Sequence, residues 1–168
     1  MAETLDSAIP EDVSRLVEDL LRRASTARLT LVTAESCTGG LLASLLTDVD
    51  GLGHVFDRGF VVYSEQSKHQ ILGVPLEALR RCGAVSEPVA RAMAEGALKA
   101  ADADLAIAVT GFAGRGAPGE EPGLAHFACS RRGGDTRHRK EHFGDVGRGR
   151  VRLACLRCCL EMLGEALA

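Results

Sequence analysis

Residues 29–46, LTLVTAESCTGGLLASLL, hold a strand, a turn and a helix in eighteen positions. The apolar, β-branched run 29–33 reads as a buried strand, and the small and apolar residues after Gly40 read as a helix. This strand–turn–helix unit is one of several. An amphipathic helix at 10–24 precedes it, with Val13, Leu16, Val17, Leu20 and Leu21 as its stripe. Phe60, Val61 and Val62 form the core of a second buried strand within 55–63. Ser64 caps a short helix that stops near Gly73, another short helix spans 75–82, and a longer one runs over 87–100. Strands follow at 104–109 and 124–130, then a turn at 131–134 and an antiparallel fifth strand at 136–143. A last helix covers 146–167. Strands alternating with helices imply a single three-layer α/β/α domain with a mostly parallel sheet.

Composition removes several functions. The net charge of −3 calls for no nucleic acid, and no apolar run approaches the roughly 20 residues of a membrane span. The start, MAETLDSAIPEDVSRL, has neither the basic nor the apolar part of a signal peptide, so a cytoplasmic protein is expected. Its six cysteines then read as thiols. Cys155, Cys158 and Cys159 recur at helical spacing with Leu156, Leu160 and Leu163, as small apolar residues on an inward face. A zinc site from Cys155 and Cys158 with His138 and His142 would need that same face, so no metal is expected. The basic stretch from Arg131 to Arg152 contains one aromatic residue, Phe143, and no stacking platform. It reads as a solvated face or as a contribution to a phosphate pocket.

Three segments fall at the ends of expected strands, where ligands bind in open α/β sheets. The first is the turn Glu35–Ser36–Cys37–Thr38–Gly39–Gly40 at a helix mouth, where free N–H groups favour an anion. The same turn has a plainer reading, with Ser36 or Thr38 as an N-cap and the glycines closing the bend. The second runs from Tyr63, the chain's one tyrosine, to Lys68. The third is the loop after Val109, TGFAGRGAPGEEPG. It reads either as a plain connection or as a phosphate cradle formed by Thr110, Gly111, Gly114 and Gly116 with charge from Arg115. A serine nucleophile needs a base, and no histidine lies within these segments. A desolvated lysine can take that role, and Lys68 is the candidate. Cys37, at the same helix mouth, is a rival nucleophile.

The stretches TAESCTGGLLASLLTDVDG, GFVVYSEQSKHQILGV, GAVSEPVARAMAEGAL and ADLAIAVTGFAG occur in order between about Thr33 and Gly114. Through them the chain resembles the CinA C-terminal domain family, whose stand-alone members are nicotinamide-nucleotide amidases. The resemblance implies one domain over 1–168, with 1–9 a flexible tail, and a five-stranded mixed sheet. It implies hydrolysis of the carboxamide of nicotinamide mononucleotide without metal or cofactor. Ser36 is the implied nucleophile, Lys68 its base, and Tyr63 a helper that relays protons or orients the lysine. Thr38, Gly39 and Gly40 would hold the oxyanion. Thr110 would contact substrate, with Gly111, Gly114 and Arg115 at the ribose phosphate. A homo-oligomer with a small nucleotide as its partner, and no nucleic acid or membrane, is expected. The alternative is a non-catalytic nucleotide-binding or damage-associated interaction module of the same fold. The family loop continues G-P-G-G where this chain has Gly114–Arg115–Gly116–Ala117. Glu121 stands in place of a family lysine, and Val146 follows Gly144–Asp145 where the family has arginine.

Overall fold

The computed structural model describes residues 9–168. Most of the tail expected at 1–9 lies outside the described residues, but Ile9 is buried in the core. Helix α1 (Glu11–Ala27) starts after Pro10 with Glu11 and Asp12 in its first turn, where carboxylates suit the helix dipole. Arg28, in the left-handed region at φ 57°, ends it. Strand β1 (Leu31–Glu35) begins and ends two residues later than the apolar run suggests. Polar Thr33 and Glu35 belong to the strand and are fully buried, which a count of apolar residues does not register.

After α2 (Leu41–Leu46) a single 3-10 turn leads to β2 (Phe56–Val61). A second buried strand was expected here, yet β2 is an edge strand with most residues half-buried or exposed. It pairs on one side only, with β1, and the register breaks between Leu31 and Val32. Helices α3 (Glu65–Leu72), α4 (Leu76–Cys82) and α5 (Glu87–Ala100) follow, then β3 (Leu105–Gly111) and the hairpin of β4 (Leu124–Arg131) and β5 (Thr136–His142). The last helix, α6 (Arg148–Ala166), starts two residues later than expected because Gly147, at φ 92°, lies outside it.

The sheet order is β2-β1-β3-β4-β5. Strands β1, β2 and β3 are mutually parallel, while β4 runs against both β3 and β5. Four strands therefore point one way, and the expected mixed, mostly parallel five-stranded sheet is present. Alternation along the strands divides the core. Leu31, Ile107 and Phe127 pack with α1, α2 and α6 on one face, and Val32, Ala106 and Ala128 with α5 on the other. Cys155, Cys158 and Cys159 are buried on the inner side of α6, as their spacing suggested. Because β1, β2 and β3 are parallel, their carboxyl ends share one edge of the sheet. The candidate site lies on that edge.

Candidate active site

Central strand β1 delivers Ser36 to the edge. Its N–H donates to the carbonyl of Val109 on β3 at 3.1 Å, and Val62 N–H donates back to Glu35 O at 2.8 Å. The peptide joining Glu35 to Ser36 is thus held from both sides. Gly39 and Gly40, at φ 63° and 94°, then bend the chain into α2.

The turn is organised from within by Glu35. Its fully buried carboxylate accepts from Thr38 Oγ1 at 2.6 Å and from the N–H groups of Gly40 at 3.2 Å, Leu42 at 3.1 Å and Ala43 at 2.8 Å. A carboxylate needs such bonds to be tolerated away from water. Here it takes the place an external anion would occupy at the mouth of α2. Gly39 N–H is also engaged, by Ser36 O at 3.1 Å. On the outer side, α6 sends Arg152, whose Nε donates to Cys37 O at 2.9 Å. Thr38, Gly39 and Gly40 therefore shape the turn, and none of them lines the adjacent cavity.

Lys68 arrives from α3, a helix closed by a reciprocal cap between Ser64 and Ser67. Its side chain runs inward and is 1% exposed. Nζ lies 2.9 Å from Ser36 Oγ, 2.9 Å from the carbonyl oxygen of Val62 and 3.3 Å from that of Tyr63. No carboxylate lies within ion-pair distance of it among the described residues. Burial pushes its pKa below the ordinary lysine value, against weaker upward pulls from Cys37 and Glu65. The neighbouring His69 turns away and bonds Val74 O through Nδ1 at 2.9 Å. Tyr63 is 67% exposed and borders the cavity, while its carbonyl faces Lys68.

Ser36, Cys37, Tyr63 and Lys68 open onto a cavity of about 260 Å³ whose far wall is the loop after β3. Thr110 and Gly111 line it, with the Thr110 hydroxyl donating to Ala84 O at 2.8 Å and so tethering the loop before α5. Gly114 also lines it. Arg115 does not: its side chain is 87% exposed and pairs with Asp145 at 3.0 Å.

Three residues of the site had no role assigned from sequence. Glu35 is one. The second is Arg148, at the first turn of α6, whose guanidinium lies against Gly114 so closely that a Cβ there would sit 2.8 Å from it. Arg148 has no carboxylate partner among the described residues, so the cavity carries an unpaired cation. The third is Glu120, which lines the cavity beside Gly116. In the sequence Arg148 stands out only with Arg150, as arginines near Val146 where the family has one. Its reach into the cavity depends on where α6 begins, and Val146–Gly147 set that start. Among the described residues no cluster of three or more His, Cys, Asp or Glu side chains is arranged to hold a metal ion.

The family model described as "CinA C-terminal domain" matches residues 13–167. A "CinA-like protein" of Akkermansia muciniphila is 52% identical over 111 residues, 65% of this chain and 27% of that protein. A protein of Escherichia coli K12 named "Nicotinamide-nucleotide amidohydrolase PncC" is 43% identical over 134 residues, 79% of this chain and 81% of that protein. The crystal structure of a competence/damage inducible protein from Agrobacterium tumefaciens superposes with a TM-score of 0.91 at 42% identity, covering 99% of both chains. The alignments span only 27% to 34% of the length of the first CinA-like relatives. With a family model matched over nearly its whole length and a solved relative of the same fold, this chain belongs to the CinA C-terminal domain family.

Proposed function

We propose that the chain is a serine–lysine amidohydrolase that converts nicotinamide mononucleotide and water to nicotinate mononucleotide and ammonia. One observation carries the reading: Lys68 meets two carbonyls and one hydroxyl. A neutral amine has two N–H donors and one lone pair. The carbonyl oxygens of Val62 and Tyr63 can only accept, so they take the two N–H bonds. The lone pair is left facing Ser36 Oγ, the one neighbour of the three that can donate. Burial favours that neutral form. The amine is thereby oriented as a base toward a single hydroxyl.

Lys68 takes the Ser36 proton as Oγ attacks the carboxamide carbon. The oxyanion is met by an N–H group at the turn. Gly39 and Gly40 are already engaged and Thr38 does not line the cavity, so Cys37, which does, is the donor assigned this role, and one such donor is worth about 3–4 kcal/mol. The protonated lysine returns its proton to the departing nitrogen, which leaves as ammonia. Water then attacks the acyl-serine, giving one proton to Lys68, which passes it to Ser36 Oγ as that oxygen leaves; the acid so formed gives up its remaining proton, which ammonia can take, and becomes the carboxylate. Every step balances without a metal or redox group. The unpaired Arg148 suits the phosphate of the nucleotide, as an arginine suits any phosphate oxygen pair. The name of the 43% identical Escherichia coli relative supports the same substrate.

The test is ammonia release from nicotinamide mononucleotide by wild type, Ser36→Ala and Lys68→Ala. Release by wild type and its loss in both variants is expected, and full activity in either variant would overturn the assignment. Tight nucleotide binding without ammonia would favour the non-catalytic module. Cys37 lines the same cavity, and activity that survives Ser36→Ala but not Cys37→Ser would move the nucleophile by one residue.

A further inference from the structure

Resting on the nucleotide reading above, we infer that Glu120 is a specificity residue that accepts hydrogen bonds from the vicinal hydroxyls of the substrate's ribose. The loop of the cavity brings two opposite charges to neighbouring positions. Arg148 lies against Gly114, and a Cβ on Gly116 would fall 1.9 Å from Glu120 Oε2. Glycines two residues apart cannot be more than about 7 Å distant along the chain, so the two charged groups border adjoining parts of one cavity. Among the described residues they are not paired with each other, and Glu120 has no cationic partner.

Glu120 Oε2 accepts the N–H of Ala117 at 2.8 Å, which fixes the carboxylate against the loop. Its other oxygen has no protein donor among the described residues. A carboxylate accepts and does not donate. It therefore repels phosphate and calls for a neutral donor next to the anion site. A ribonucleotide supplies that arrangement, since its phosphate and its two adjacent ring hydroxyls lie a few ångströms apart on one sugar. The carboxamide NH2 is the other donor the substrate owns, but it must lie at Ser36 to react. Glu120 is half-buried, and a 2′-deoxyribose or a non-sugar phosphate lying over it would cover the carboxylate oxygen without giving it a partner, which is where discrimination arises.

The test measures binding of nicotinamide mononucleotide and its 2′-deoxyribose analogue by calorimetry, in the Ser36→Ala background so that nothing turns over. The parent variant is expected to bind the ribonucleotide about tenfold or more tightly than the analogue, as for a hydroxyl on a charged acceptor. Adding Glu120→Gln, whose amide oxygen still accepts Ala117 N–H, should reduce the ratio to within about threefold, and Glu120→Leu should abolish it. A ratio near one in the parent, or a tenfold ratio that persists in the Leu variant, overturns the proposal and leaves Glu120 as a brace of its loop. Failure of either ligand to bind overturns it together with the nucleotide reading. A Glu120-dependent ratio combined with no ammonia from the wild type would uphold the proposal and reject only the amidase.

Discussion

Two glycine-rich turns meet at the same edge of the sheet, and they use their polar groups in opposite ways. In the turn after β1, a buried carboxylate from the chain itself satisfies Thr38, Gly40, Leu42 and Ala43. In the loop after β3, one N–H is met by Glu120, the neighbouring Arg148 is unpaired, and the side chain of Arg115 stands in solvent. The first turn is closed and rigid, which suits a nucleophile that must meet its base at 2.9 Å. The second is open and charged, which suits recognition. On the proposed reading, chemistry and binding are divided between two turns that look alike in the sequence.

The strongest break of this division is at the closed turn. Ser36→Ala and Lys68→Ala should each lower kcat for ammonia release by about a thousandfold or more, since the two act as one unit. Lys68→Met, which leaves no buried charge, should fold and be equally inactive. Next, Glu35→Ala should lower stability by about 3 kcal/mol, from the loss of several bonds to one charged acceptor, and lower kcat with it. Urea or thermal unfolding beside the ammonia assay reads both. If stability falls and kcat does not, Glu35 serves the fold alone.

At the open loop, the expected signature is in KM. Arg148→Ala should raise KM for a phosphate-bearing substrate by about 10- to 100-fold with kcat little changed, the loss of a charge-assisted contact. A matching fall in kcat would place Arg148 at the reacting centre and erase the distinction between the turns. Arg115→Ala is the smallest effect: KM should stay within about twofold, because an exposed ion pair contributes little.

The pH dependence follows from Lys68. Its pKa is lowered by burial, and the base is active when neutral, so kcat/KM should rise with pH through a value below 10.5. Between that value and 10.5 the unfolded chain holds the proton that the folded chain has lost. Stability should therefore also rise with pH across this window, and the full burial penalty is felt below it.

The alternation of apolar runs and helical stripes made the layers and most strands legible, because each element carries its own period. The edge position of β2 was not legible, since Phe60–Val61–Val62 looks the same on an edge as in a centre. Ser36 and Tyr63 follow the ends of strands and Lys68 lies in the helix after one of them, but their spacing says nothing of the Val62 and Tyr63 carbonyls that meet the amine. Glu35 was visible as a member of the turn, but nothing in the sequence gives its carboxylate a direction. Only the fold reveals that it turns inward. Arg148 and Arg150 both lie near the family's arginine position, and the start of α6 selects Arg148.

Lysine 15Nζ NMR across a pH titration tests the neutral base most directly. The chain has three lysines, Lys68, Lys99 and Lys140, so the signal missing from Lys68→Met assigns the site. Loss of the Lys68 proton at a pH below 10.5, in step with the rise of ammonia release, is the expected result. An ammonium signal from Lys68 that persists through the pH range of full activity would contradict it.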